Sequence, residues 1–101
     1  MENERDLLTI IVDDHLTDLY VAMSDYGAMN LRVFGSVARR ESDANSDVDF
    51  IVDINHPPRG RLFARAGLSE RFSRILGRRV DIVLGDDDFV SKIDRGSVVE
   101  I

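Results

Sequence analysis

Two aspartates, Asp47 and Asp49, stand two residues apart in a segment that otherwise has the composition of a buried strand. Residues two apart on a strand point to the same side of a sheet, so the two carboxylates are predicted to lie next to each other. Neighbouring carboxylates disfavour each other's ionisation unless a cation lies between them. A hard divalent ion such as Mg²⁺ or Mn²⁺ suits oxygen ligands, and the pair therefore predicts a metal site.

A third aspartate, Asp81, lies in the strand-like segment 79–84, on the face opposite to its apolar neighbours. If this strand lies beside the one that holds Asp47 and Asp49, three carboxylates emerge from one face of a sheet. Three acids can hold two metal ions about 3.5 to 4 Å apart, as in enzymes that catalyse in-line displacement at phosphorus. The three aspartates therefore predict a site for two Mg²⁺ ions.

A Gly-Ser pair, Gly35 and Ser36, follows the first predicted strand and is separated from Asp47 by ten intervening residues. Glycine lets the backbone approach a ligand closely, and the N–H groups of the following turn, with the Ser36 hydroxyl, can bind phosphate oxygens. Arg39 either contacts the same phosphates or lies on the surface. Together with the aspartates, this pair predicts a site for a nucleoside triphosphate.

The elements that must position these residues follow from hydrophobic periodicity. Helices are predicted over 5–26 and 61–76, strands over 29–34, 47–54, 79–84 and 98–101, and short helical turns at 37–40 and after the aspartates 86–88; residues 55–60 are predicted to form a connection. This order predicts an α+β fold with two layers, in which helices pack on a small mixed sheet. The length favours a single domain over residues 1–101.

The second predicted strand alternates between two kinds of side chain. Its apolar face builds the core, whereas the face shared by Asp47, Asp49, Ile51 and Asp53 is expected to be open to water or ligand. Asp53 lies one pleat beyond the proposed site, and we expect it to face solvent.

Composition excludes several classes of function. Cysteine is absent, which excludes disulfides, thiolate nucleophiles and cysteine-ligated zinc, and neither His15 nor His56 has the sequence neighbours of a zinc site or catalytic base. A net charge of −6 argues against a long nucleic acid as partner, although the basic segment 59–79 leaves open the binding of a small anion.

No apolar run approaches the roughly 18 residues that span a membrane, and the acidic start is unlike a secretory signal. We therefore expect a cytoplasmic protein.

The DNA polymerase β-like nucleotidyltransferases have a signature of Gly-Ser, ten residues and Asp-x-Asp, which this chain resembles in the stretch GSVARRESDANSDVDF. The strand that bears that family's third acid is similar to the segment RRVDIVL. The small size and the leading helix resemble the minimal nucleotidyltransferases, many of which are antitoxins paired with a HEPN-domain toxin. The resemblance runs from Leu7 to about Val90.

The resemblance implies that Gly35 and Ser36 hold the triphosphate of ATP and that Asp47 and Asp49 bind both Mg²⁺ ions. Asp81 would bind the catalytic metal and help to deprotonate the accepting hydroxyl. The implied reaction moves AMP onto a tyrosine of the HEPN toxin and silences it. One departure is Arg40, which stands where relatives commonly have glycine.

Two other functions stay open at this stage. The chain could neutralise its toxin by binding alone, or it could modify an antibiotic or a polynucleotide end, as other members of the family do. The basic helix face formed by Arg71, Arg74 and Arg78 is either a solvated surface, a partner surface or an aid to phosphate binding.

Overall fold

The computed structural model describes residues 5–43, 45–55, 57–88 and 90–101, so the prediction for His56 lies outside the described residues. The helices are α1 (Leu7–Ile10), α2 (Leu16–Asp25) and α3 (Pro58–Leu76), and the strands are β1 (Ala28–Phe34), β2 (Val48–Ile54), β3 (Val80–Leu84) and β4 (Val98–Glu100). These elements confirm the predicted α+β fold.

The four strands form one mixed sheet in the order β3-β2-β1-β4. β1 pairs antiparallel with β2 and with β4, whereas β2 and β3 are parallel. Parallel neighbours need a long crossover, which α3 provides. The predicted neighbourhood of the second and third strands is therefore confirmed.

The first helical segment differs from the single helix predicted over 5–26. Asp6 caps α1 by accepting a hydrogen bond from the Thr9 amide, and a π-helical turn at Ile11–His15 joins α1 to α2. The segment ends close to the predicted position, where Gly27 has a φ of 68°. This left-handed conformation suits glycine and stops the helix.

Helix α3 begins at Pro58, three residues before the predicted start, so part of the predicted connection is helical. A proline at the first helical position costs no hydrogen bond, because the N–H it lacks would have no partner within the helix. The carbonyl of Pro57 accepts from the Arg61 amide at 3.0 Å. The helix ends at Gly77, as predicted, with a φ of 67°.

The core lies between the helices and one face of the sheet. Val48, Phe50, Val52 and Ile54 are buried on that face, as their alternation predicted. Phe50 and Phe72 meet edge to face with ring centroids 5.0 Å apart. Buried side chains from the helices complete this layer: Leu8, Ile11, Leu19, Met23, Leu68 and Phe72.

The opposite face is less open than predicted, because Ile51 is only 1% exposed. The C-terminal segment returns to this face, where Val90, Ile93 and Val98 line a cavity together with Ile51. Burial of Ile51 therefore depends on residues some forty positions later in the chain.

The predicted turn after residues 86–88 is a 3₁₀ turn at Val90–Lys92, and residues 37–40 form hydrogen-bonded turns without a helix.

No helix in the described ranges combines the length and the apolar character that crossing a bilayer requires.

Gly67 provides a test of the contact between α3 and the end of α2. A Cβ at Gly67 would lie 2.6 Å from Cε1 of Tyr26. Alanine normally improves a helix interior by about 1 kcal/mol relative to glycine, but we expect Gly67→Ala to lower the free energy of unfolding by roughly 1 to 3 kcal/mol through overpacking. Urea denaturation measures the change.

The matched control repeats Gly67→Ala in a Tyr26→Ala background, where the added methyl group has room. There the substitution should be neutral or stabilising. An equal loss in both backgrounds would show that the Tyr26 contact is not the cause.

Candidate active site

The candidate site lies where the end of β1 meets the beginnings of β2 and β3. In the parallel pair, Asp49 is the register partner of Asp81, and across the antiparallel pair it is the partner of Phe34. Register partners project from the same face of a sheet, so the structure brings the Asp49 and Asp81 side chains together.

Asp47 lies immediately before β2, and its side chain is exposed. Next to it, the Val48 amide donates to the Arg79 carbonyl at 3.0 Å, which continues the β2–β3 pairing to this end of the sheet. Asp47 is thus held at the mouth of the same site.

The three carboxylates influence one another electrostatically. Burial raises the pKa of Asp49, and the negative charges of Asp81 and then Asp47 raise it further. In the described ranges, no arginine or lysine forms an ion pair with any of the three. The site therefore concentrates negative charge that the described residues leave uncompensated.

Asp53 shows the contrast on the same strand face. Its carboxylate accepts from Asn30 Nδ2 at 2.7 Å and from Arg32 Nη2 at 2.9 Å. The Asp53 side chain does face solvent in part, at 41% exposure, but β1 also supplies two partners that the sequence did not indicate. Asp53 has a cationic partner and is therefore a structural carboxylate. Asp49 has no cationic partner among the described residues and is therefore a candidate functional carboxylate.

Gly35 meets two requirements at once. Its φ of 75° is left-handed, and a Cβ there would lie 2.8 Å from Oδ2 of Asp49. Any side chain would therefore be strained and would collide with the carboxylate. The turn after Gly35 is held by backbone bonds from Arg39 N to Gly35 O at 3.1 Å and from Glu41 N to Ser36 O at 2.8 Å.

Ser36 and Arg39 differ in how far their polar groups are engaged. The Ser36 hydroxyl makes no hydrogen bond to any described residue, which leaves it available to a ligand. The Arg39 guanidinium donates to Glu41 Oε1 at 3.0 Å, and its side chain is 44% exposed. The phosphate role of Arg39 stays a prediction, and it would require exchange of the Glu41 partner.

Arg40, the departure from the family's usual glycine, keeps a left-handed backbone with a φ of 60°. Its guanidinium turns away from the aspartates, pairs with Asp6 and lies 3.3 Å from Thr9 Oγ1. The turn thus retains the backbone conformation that glycine adopts easily, and the added charge lies at the start of α1.

The donor set fits a metal that a bound nucleotide helps to hold. In the part of the chain that the structure describes, no group of three His, Asp or Glu side chains has the geometry of a ready metal cage. Mg²⁺ in nucleotide sites is usually bound by one or two carboxylates together with phosphates and waters. Asp49 and Asp81, side by side and lacking a cation, meet that requirement; the predicted pair of ions stays a prediction.

The link between Arg40 and α1 gives a pH-dependent prediction. The hydrogen bond from the Thr9 amide, aided by Thr9 Oγ1 and Arg40, lowers the pKa of Asp6 from 3.8 to about 2. A carboxylate with a lowered pKa stabilises the fold fully above its unfolded pKa, and this contribution disappears as the pH falls through the folded pKa. Asp6→Asn should lower the Tm at pH 7, and the difference from the parent chain should shrink as the pH falls from about 4 towards 2.

Thermal unfolding followed by circular dichroism between pH 7 and 2 measures this difference. The asparagine side chain of the variant can still accept from the Thr9 amide, so a loss at neutral pH reports mainly the charge. Identical Tm values over the whole range would rule out the Asp6–Arg40 contact.

The uncompensated charge gives a second prediction. With EDTA present, Asp49→Asn should raise the Tm by a few degrees, because it removes repulsion from Asp81 and Asp47 without changing the shape of the side chain. Mg²⁺ should then raise the Tm of the parent chain more than that of the variant.

Asp53→Asn is the matched control on the same strand face, and it should lower the Tm because it weakens the contact with Arg32. If Asp49→Asn instead lowers the Tm in EDTA, the carboxylates do not repel each other as described.

Comparison with known proteins agrees with this arrangement. Residues 23–101 match the nucleotidyltransferase domain family. The chain is 39% identical over 59 residues to the protein adenylyltransferase MntA of Thermococcus cleftensis, an alignment that covers 58% of this chain and 58% of that protein. The aligned part thus spans little more than half of that relative.

A solved structure described as a minimal nucleotidyltransferase superposes with a TM-score of 0.71 and 30% sequence identity. It covers 99% of this chain and is itself covered to 98%. The matched range 23–101 spans the segment in which Gly35, Ser36 and the three aspartates lie. The chain belongs to the nucleotidyltransferase domain family and has the fold of a minimal nucleotidyltransferase.

Proposed function

We propose that the chain is a Mg²⁺-dependent protein adenylyltransferase that moves AMP from ATP to a tyrosine of a HEPN-domain toxin and so acts as its antitoxin. The observation that carries this proposal is the in-register pair Asp49–Asp81, uncompensated by any described cation and facing Gly35. Family membership and the name of the relative, protein adenylyltransferase, support the same chemistry.

Gly35 and Ser36 would bind the triphosphate. The missing side chain at Gly35 leaves room beside Asp49, and the free Ser36 hydroxyl can donate to a phosphate oxygen. Arg39 lies one turn further and can exchange Glu41 for a phosphate. These groups would hold the nucleotide so that its α-phosphorus lies near the carboxylates.

Asp47, Asp49 and Asp81 would hold Mg²⁺, which supplies charge neutralisation and polarises the phosphate when it is bound. Without such a cation, phosphates and carboxylates would repel each other in this site. The three carboxylates repel one another in the absence of a cation, and the same repulsion would favour the binding of Mg²⁺.

The accepting tyrosine oxygen would attack the α-phosphorus of ATP. A bond forms between this oxygen and the α-phosphorus, the bond to the bridging oxygen of the β-phosphate breaks, and pyrophosphate leaves. Asp81 is exposed at the edge strand β3, where an acceptor can reach it, and it is suited to receive the hydroxyl proton. Asp49 lies deeper and is suited to binding rather than proton transfer.

The proposal is tested by incubating the chain with MgATP and a HEPN-domain protein as the candidate acceptor, and then measuring the intact mass of that protein. We expect a gain of one adenylyl group with the parent chain. Asp49→Asn or Asp81→Asn should slow transfer at least 100-fold, a size typical of lost electrostatic stabilisation.

Asp53→Asn is the control, because Asp53 lies on the same face but is neutralised by Arg32 and Asn30. It should retain transfer within a few-fold of the parent. Undiminished transfer by folded Asp49→Asn and Asp81→Asn variants would contradict the proposed site.

The alternative, neutralisation by binding alone, makes a different prediction for the same variants. If a triple variant without Asp47, Asp49 and Asp81 still silences the toxin and no mass gain is found with the parent chain, the chain acts as a binding module.

A further inference from the structure

Among the large apolar side chains of the described residues, the two with the highest exposed fractions lie in the first half of α3. Phe63 is 75% exposed and Leu62 is 60% exposed. On the same helix, Ala64 and Leu68 are buried, so the core does not explain the type of residue at positions 62 and 63. Adjacent exposed apolar side chains of this size commonly mark an interaction site.

The exposed residues of this half form one continuous patch. Residues three and four apart are neighbours on a helix surface, which connects Arg59 to Phe63 and joins both Leu62 and Phe63 to Ala66. Arg65 borders the patch on the side of β3. We refer to Arg59, Leu62, Phe63, Arg65 and Ala66 as the α3 surface.

Arg59 and Arg65 form no ion pair with a described residue, unlike the other arginines of α3, which are Arg61, Arg71 and Arg74. Arg59 has no partner among the described residues, and Arg65 contacts only the Ile82 carbonyl, at 3.4 Å. The remaining partners are Asp86 for Arg61, Asp25 for Arg71, Glu70 for Arg74 and the Ser46 carbonyl for Arg78. The α3 surface is therefore apolar, with two uncompensated positive charges.

This finding also decides the predicted Arg71, Arg74, Arg78 face. Arg71 pairs with Asp25 at 3.1 Å and lies over the Tyr26 ring at 5.9 Å, and Arg78 donates to the Ser46 carbonyl at 3.0 Å. Arg71 and Arg78 therefore support the fold, whereas Arg74 forms an exposed pair with Glu70 on the surface. Within α3, the arginines without an acidic partner among the described residues lie earlier in the helix.

The α3 surface adjoins the candidate active site. Arg65, Ala66 and Ser69 line a cavity of about 240 Å³ together with Asp81 and Ile82. Because β3 is an edge strand, no further strand of the described sheet lies beyond Asp81. A molecule bound on the α3 surface would therefore reach the third carboxylate directly.

The outer edge of β3 is already occupied by α3. Ser69 Oγ donates to the Val80 carbonyl at 3.0 Å, and Arg65 contacts the Ile82 carbonyl. These contacts cover carbonyls that an added strand would use. A partner at this edge of the sheet would therefore bind through side chains on α3 rather than by adding a strand to β3.

We propose that the α3 surface is the docking site for the acceptor protein, an inference that rests on the proposed function. The partner would pack apolar side chains against Leu62 and Phe63 and place Asp or Glu side chains opposite Arg59 and Arg65. Its accepting hydroxyl would then enter beside Asp81. Buried aromatic anchors ringed by charge are the usual centre of a specific protein interface.

The test compares Phe63→Ser and Arg65→Glu with two matched controls, Met29→Ser and Arg74→Glu. Met29 is an exposed apolar residue on β1, and Arg74 is an exposed arginine near the other end of α3. Isothermal titration with the HEPN-domain acceptor protein gives the Kd, and transfer rates at varied acceptor concentration give KM and kcat.

We expect Phe63→Ser and Arg65→Glu to raise the Kd and the acceptor KM about tenfold or more. Phe63→Ser should leave the binding of MgATP and the Tm unchanged, because Phe63 does not line the cavity that holds Asp81. Both controls should behave as the parent chain. An effect on MgATP binding equal to that on the acceptor would place these residues in the nucleotide site and overturn the inference.

The failure of this inference is distinguishable from the failure of the proposed function. If the parent chain transfers AMP and both α3 variants do so with an unchanged acceptor KM, the proposed docking site is contradicted and the proposed enzymatic activity is supported. If the α3 variants lose binding of the acceptor but the parent chain shows no transfer, the docking site is supported and the enzymatic activity is contradicted. Loss of self-association in light scattering, with toxin binding intact, would assign the surface to a second copy and overturn the proposal.

Discussion

The parallel pairing of β2 and β3 is the constraint on which the site depends. It makes Asp49 the register partner of Asp81, and burial together with the charges of Asp81 and Asp47 raises the pKa of Asp49. Such an arrangement is unfavourable for an isolated fold, because each carboxylate disfavours the ionisation of its neighbour. The core beneath, centred on Phe50 and Phe72, must therefore hold the strands in register against this repulsion. Local destabilisation of this kind is common where a protein binds a ligand of opposite charge.

The same sheet face shows how the chain treats a carboxylate that has no such purpose. Asp53 lies on the same strand as Asp49, yet it is neutralised by Arg32 and Asn30. Arg40 is a comparable case in the turn after Gly35, since a positive φ at a non-glycine residue is tolerated where the side chain gains a partner in Asp6. Asp53 and Arg40 thus have partners of opposite charge, whereas Asp49 and Asp81 have none among the described residues.

Helix α3 combines three structural tasks. It is the crossover that makes β2 and β3 parallel, it supplies Leu68 and Phe72 to the core, and through Ser69 it covers the outer edge of β3. Its exposed side carries apolar residues and free arginines next to Asp81. Because one helix both creates the carboxylate pair and borders it, catalytic geometry and acceptor recognition would be coupled through the same element.

The sequence by itself determined the elements, their order and the grouping of Asp47 with Asp49, because helix and strand periodicities are local properties of the chain. It also indicated the Gly35–Ser36 turn, since a glycine after a strand lets the backbone approach a ligand closely. The start of α3 at Pro58 was not predicted, although a local signal for it was present, because a proline suits the first position of a helix. Tertiary structure alone decided the partner of Asp53, the burial of Ile51 under the C-terminal segment and the register of Asp81 against Asp49. These depend on contacts between segments far apart in the chain, and such contacts are set by packing and strand pairing, which a local pattern does not specify.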